Sequence, residues 1–298
     1  MTSKRFIVAL LSFLLISSFS VCANQAADPA PGKAYTYKEA NGVTLDVEIY
    51  FPEDWEPSDK RPAMILFHGG GWGKGSLKAF RYQSAYFASR GLVAATASYT
   101  LAGKQKDQVE GVSRKRVCIV DAKSAIRWMK ENGNQLGIDP EKIIAGGGSA
   151  GGHICMLATN NPGLNDPNDS DAYDTSVAAY VLFNPAFGAV DSRDPEVHIL
   201  KHLKENFPPA VVFFGTKDKW LKGWAEVEQK LESLQYDGLE LWMAPGKDHA
   251  FFNRQPWKDL TLIEADRFLV ELGYLEGEPT LSPKTNEQLF KVGKSSER

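Results

Sequence analysis

The segment Gly147-Gly148-Ser149-Ala150-Gly151-Gly152 constrains this chain more than any other. It fits G-x-S-x-G, follows the short apolar run Lys142-Ile-Ile-Ala145, and precedes a stretch that reads as helix from Ala150. A strand-to-helix turn this tight needs small neighbours, holds its serine in a strained backbone conformation, and lifts the hydroxyl clear of the sheet. The helix starting there also aims free N–H groups and the positive end of its dipole at negative charge developing beside the serine. A glycine turn that only permits close packing would look the same locally, so the rest of the chain has to decide.

The pattern around the turn is strand, loop, helix, repeated. Ala63–Phe67, Leu92–Ser98, Lys142–Ala145, Ala178–Phe183, Ala210–Phe214 and Leu239–Met243 are short, nearly continuous apolar runs. Such runs are what strands covered on both faces require. Helical stretches at 78–90, 114–132, 223–235 and 257–272 separate them. This alternation predicts an α/β fold, a mostly parallel central sheet with helices on both faces. Ahead of it, Ala34–Glu39, the turn pair Asn41-Gly42 and the alternating run Val43–Phe51 predict an N-terminal β-hairpin. Two irregular insertions stand out, 160–176 and a partly helical 186–208, and either could supply a lid.

Residues 1–23 read as a secretory signal. Lys4 and Arg5 lead into the apolar run Phe6–Ile16, and Val21-Cys22-Ala23 is a small-residue cleavage pattern. The run is short of the ~20 apolar residues a spanning helix needs, so no stable membrane insertion is expected after signal removal. Phe19-Ser20-Val21 is a poor match to the sequence that precedes a lipoprotein cysteine. The expected organisation is signal peptide 1–23, flexible leader 24–33, one catalytic domain 34–273 and a polar tail 274–298, with a periplasmic or secreted location. A net charge of −3 gives no nucleic-acid footprint. Without CxxC or HExxH spacing, no metal or other cofactor is expected. Cys118 and Cys155 read as buried free thiols, although export would allow their oxidation.

Three further features carry chemistry. His68-Gly69-Gly70-Gly71-Trp72 directly follows the strand at 63–67. Consecutive glycines let backbone N–H groups turn toward a substrate oxygen, and in this kind of fold the loop supplies oxyanion donors. His68 itself reads as a structural hydrogen-bonding residue. A serine nucleophile needs a base, and the base an orienting carboxylate, in the chain order serine, acid, histidine. Asp218 lies just beyond the fifth of the apolar strands and His249 just beyond the sixth. Asp248 competes for the acid role but adjoins the histidine and should point elsewhere.

Together these residues resemble the α/β-hydrolase superfamily, specifically carboxylesterases of the hormone-sensitive-lipase-like and bacterial feruloyl/acetyl-xylan-esterase-like groups. The match comprises His68–Trp72, Gly147–Gly152, Gly215–Asp218 and His249, with Asp121 through Arg127-Trp128 in the preceding helix and Gly137–Pro140 before the nucleophile strand. It covers about residues 35–272. The resemblance implies Ser149 as nucleophile, His249 as base and acid, Asp218 as its partner, Gly70, Gly71 and Ala150 as oxyanion donors, and Trp72 as a wall of the substrate cleft. Two departures stand out. Gly148 replaces the acidic residue that many lipase-like relatives carry before the serine, and a hairpin stands where many have a helical cap.

The reading that results is an exported serine carboxylesterase acting on short-chain acyl or aromatic esters, on small molecules or polysaccharides. Two rivals remain. A prolyl-oligopeptidase-like peptidase shares the fold but usually has a large extra domain and an aromatic residue after the serine. A non-catalytic hydrolase-like binding protein usually lacks a member of the triad.

Overall fold

The protein is described here by a computed structural model covering residues 29–40, 42–104 and 110–293. The signal reading of 1–23, leader residues 24–28 and Asn41 of the hairpin turn lie outside the described residues.

Strands β1 (Lys33–Ala40) and β2 (Val43–Tyr50) form the hairpin, followed by β3 (Arg61–Phe67). Helix α1 (Arg81–Ser89), entered through a 3₁₀ turn at Leu77–Phe80, leads to β4 (Val93–Ala97). Then come α2 (Arg116–Glu131), the single turn α3 (Gly133–Leu136), β5 (Ile138–Gly148), α4 (Ala150–Asn160) and β6 (Ala179–Phe183). Strand β7 (Ala210–Gly215), α5 (Leu221–Ser233), β8 (Leu239–Ala244), α6 (Trp257–Glu271) and β9 (Phe290–Val292) complete the chain.

Among the described residues, nine strands form one sheet in the order β1-β2-β4-β3-β5-β6-β7-β8-β9. The pairs from β4 through β8 are parallel, while β1–β2, β2–β4 and β8–β9 are antiparallel. Alternate residues of each inner strand point to opposite faces. Ile65 and Phe67 enter the core shared with Ile119 and Ala122 of α2, Ile154 of α4 and Trp224 of α5. Met64 and Leu66 enter the core shared with Phe87 of α1 and Leu262 and Phe268 of α6. Because both faces are covered, the inner strands carry no polar alternation, which is why they were legible as apolar runs.

Two expectations need adjustment. Strand β5 starts at Ile138 rather than at Lys142, because Ile138 pairs with Arg61 before the ladder shifts register. The segment read as a polar tail contributes β9, which caps the exposed edge of β8 through Leu241–Val292 and Met243–Phe290 pairing. Three residues are too few to give a periodicity signal.

The core contains Cys118 and Cys155 as free thiols, both buried. Burial pushes the Cys118 thiol up to about 12 and also raises Cys155. Thiolate is the reactive form. Both cysteines should therefore resist iodoacetamide at pH 8 in the folded protein and react fully in denaturant, read by peptide mass spectrometry.

Candidate active site

Ser149 occupies the turn between β5 and α4 with φ 54° and ψ −119°. Such a conformation costs on the order of 1–3 kcal/mol and survives only where the surroundings over-determine it. Here they do. The Ser149 N–H donates to the Phe183 carbonyl at 2.9 Å, and its own carbonyl accepts from the Ala186 N–H at 3.0 Å and the His153 N–H at 3.2 Å. The nucleophile turn is thus pinned to the end of β6 on one side and to its own helix on the other.

Asp218 lies three residues beyond β7, where its N–H donates to the Gly215 carbonyl at 3.0 Å. His249 lies in the loop after β8. The structure brings both to Ser149. His249 Nε2 is 2.7 Å from Ser149 Oγ, and His249 Nδ1 is 2.7 Å from Asp218 Oδ2. An ionised carboxylate only accepts, so Nδ1 carries the proton and Nε2 is free to accept from the serine hydroxyl. The Asp218 side chain is fully buried, and its second oxygen accepts from the Trp220 N–H at 2.9 Å. Asp248 is exposed and takes no part.

The glycine loop lies against the serine. A Cβ on Gly69 would come within 3.2 Å of Ser149 Cβ and 2.9 Å of the Gly148 carbonyl oxygen. Gly70 and Gly71 adopt φ of 124° and 60°, and the Gly70 carbonyl accepts from the N–H groups of Gly73 and Lys74, which closes the turn. Ala150 is the first residue of α4, so its N–H has no acceptor inside the helix. His68 supports this loop from below. It is buried, stacks on Tyr99 at 4.3 Å, and its Nδ1 lies 2.7 Å from the Gly69 carbonyl oxygen. Burial lowers its pKa, and nothing connects it to the proton path of Ser149.

Gly148 has a packing reason. A Cβ there would sit 2.5 Å from Cζ of Phe252, which stacks on Phe183 and Phe80. Phe252 fills the space that an acidic residue before the serine would need. Gly148→Glu should therefore lower the melting temperature and reduce activity together, by overpacking worth roughly 1–3 kcal/mol, checked by thermal unfolding beside initial rates.

Several residues around the site gave no sequence signal. Asn184, fully buried with φ 39°, sets its Nδ2 3.0 Å from Nδ1 and 3.4 Å from Nε2 of His249. Both ring nitrogens already have partners in the ring plane, so this amide lies over the imidazole face. Trp72 meets Trp220 edge-on at 6.2 Å, and Trp220 lies 6.3 Å from the His249 ring. Of the two insertions, 186–208 flanks the site, with Gly188 against the Trp220 ring. The other, 160–176, is fastened to α2. There Lys123 Nζ donates to the carbonyls of Asn161 and Gly163 at 2.5 and 2.6 Å, and Arg127 pairs with Asp169. Among the described residues, no group of three or more His, Cys, Asp or Glu side chains could hold a metal ion, and no helix is long and apolar enough to cross a membrane.

Comparison with known proteins agrees with this architecture. Residues 47–198 match the BD-FAE family. Thermogutta terrifontis esterase 2, solved as its paraoxon-phosphorylated form, superposes with a TM-score of 0.76 at 34% identity, covering 84% of this chain and 97% of that one. Two curated relatives from Mycobacterium tuberculosis are more distant. Esterase LipQ is 28% identical over 59% of this chain and 38% of its own length. Carboxylesterase NlhH is 31% identical over 39% of this chain and 34% of its own length. The chain thus spans little more than a third of these curated relatives. The family match runs from within β2 into the 186–208 insertion and includes the nucleophile turn and the glycine loop. The chain belongs to the BD-FAE family, among the α/β-hydrolase carboxylesterases of the hormone-sensitive-lipase-like type.

Proposed function

We propose that the protein is a serine carboxylesterase that hydrolyses short-chain acyl or aromatic esters through an acyl-serine intermediate. The observation that carries the reading is the continuous chain from Ser149 Oγ through His249 to Asp218, with both links at 2.7 Å. In the first step His249 Nε2 takes the Ser149 proton while Oγ bonds to the ester carbonyl carbon. The carbonyl oxygen becomes an oxyanion held by the N–H groups of Ala150, Gly70 and Gly71. Collapse breaks the bond to the alcohol oxygen, which leaves with the proton from His249. Water then attacks the acyl carbon, giving its proton to His249, and the acid departs as Ser149 regains its hydrogen. Asp218 holds the imidazole tautomer and stabilises the imidazolium formed in each step.

Short acyl groups are favoured by the likeness to Thermogutta terrifontis esterase 2, solved with propionate and with butyrate bound. Esters of sugars or ferulate remain within the proposal because Trp220 offers aromatic surface beside His249, with Trp72 edge-on to it. Export is proposed on the sequence pattern of residues 1–23 alone. The test is initial rates on p-nitrophenyl acetate, butyrate and octanoate, beside acetyl-xylan, methyl ferulate and a p-nitroanilide, with Ser149→Ala as blank. Hydrolysis of the short acyl esters supports the reading. Hydrolysis of the anilide alone, or none at all, overturns it.

A further inference from the structure

Beside the oxyanion loop lies a buried polar cluster that the reaction itself does not use. Trp72, the residue after Gly71, has φ 61° and is held at three points. Its indole Nε1–H donates to His153 Nδ1 at 3.3 Å. The ammonium of Lys115 stands over its ring, 3.6 Å from the centroid. Its carbonyl accepts from the Ala102 N–H at 2.7 Å. An indole N–H only donates, so His153 Nδ1 must be unprotonated and the proton must sit on Nε2. Burial, which disfavours the charged ring, agrees with a neutral imidazole.

His153 and Lys115 converge on one carboxylate, Asp191. Lys115 Nζ makes an ion pair with Asp191 Oδ1. His153 Nε2 lies 3.4 Å from Asp191 Oδ2, a long contact that sets the buried ring edge against the carboxylate. Asp191 also accepts from the Gly188 N–H at 3.2 Å. It belongs to the 186–208 insertion and is itself buried. The same insertion is tied to the start of α2 by Arg116, whose guanidinium donates to both oxygens of Asp194 at 2.8 and 2.6 Å. With Asp191 removed, Lys115 would be a half-buried cation without its counter-charge, and it would leave the Trp72 face for water.

We infer that Asp191 is a positioning residue for the oxyanion loop, acting through Lys115 and His153 to hold the Trp72 indole and hence the adjoining Gly71 N–H. On this account the 186–208 insertion is a fixed brace of the active site and not a lid. Oxyanion donors stabilise charge only within a few tenths of an ångström of their productive distance, so a loosened Trp72 costs transition-state binding and leaves ground-state binding nearly intact.

The inference rests on the proposed esterase reaction, and its test is a double-mutant cycle on p-nitrophenyl butyrate. Asp191→Asn and Lys115→Met are each made in the wild-type and in the Trp72→Leu background. In the wild-type background each should lower kcat about tenfold with KM within about twofold, and weaken an oxyanion-mimicking trifluoromethyl ketone by the same factor. In the Trp72→Leu background, where no indole remains to be held, each should cost less than about twofold. An undiminished loss in that background, a change confined to KM, or no change in kcat would overturn the inference. If Asp191→Asn fails to fold, Lys115→Met, which keeps the lysine stem, carries the cycle alone. Wild-type turnover, measured in the same series, reports separately on the esterase reading.

Discussion

Ser149→Ala should lower kcat for ester hydrolysis by a factor on the order of 10⁴–10⁶ while leaving the fold intact. The serine side chain has one hydrogen-bond partner, His249 Nε2, so removing its oxygen strands no other buried group. The backbone strain at φ 54° is borne by bonds from Phe183, Ala186 and His153 that alanine keeps. Melting temperature should therefore move by only a few degrees. Asp218→Asn should cost about 10⁴ in kcat by a different route, since an amide at that position allows the wrong imidazole tautomer. The pair of variants separates loss of the nucleophile from loss of its orientation. Phosphonate labelling should vanish in Ser149→Ala and become slow in Asp218→Asn.

Among glycine-to-alanine changes at the described residues, Gly151→Ala should be one of the most damaging. Its Cβ would overlap the Phe67 carbonyl oxygen and come within 2.7 Å of the His68 carbonyl oxygen. Both are main-chain atoms, so no side-chain rotation relieves the overlap. The end of β3 and the first turn of α4 would have to move apart. We expect destabilisation beyond the usual ~1–3 kcal/mol of overpacking. Activity should fall at least 100-fold as well, because β3 runs straight into the oxyanion loop and α4 begins beside Ser149. Thermal unfolding and kcat measured on the same preparation check both effects. A variant that melts normally yet loses activity would mean that the helix tilts rather than separates.

Much of this was legible in the sequence because parallel strands covered on both faces must be apolar, and because the nucleophile turn admits few residue types. Ser149, Asp218 and His249 each sit just past the carboxyl end of a buried strand, and the pattern marks those ends. What was illegible depends on contacts between distant segments. Lys115 and Asp191 meet only because the 186–208 insertion folds back over the start of α2, and no local periodicity encodes that. His153 sits one helical turn beyond Ser149, a spacing visible in the chain, but nothing local says that it meets Trp72. Asn184 immediately follows the apolar run of β6, and nothing in the sequence says that it lies over the base. The residue before the serine was read as a departure from lipase-like relatives. Phe252, more than a hundred positions downstream, supplies the reason.

The most direct test of the central claim is the covalent one. The protein is incubated with paraoxon, residual p-nitrophenyl butyrate hydrolysis is followed, and the adduct is located by peptide mass spectrometry. The account predicts one diethyl phosphoryl group per chain on Ser149, appearing in step with the loss of activity. An inactivated protein with Ser149 unmodified, or full hydrolysis persisting with Ser149 phosphorylated, would contradict it.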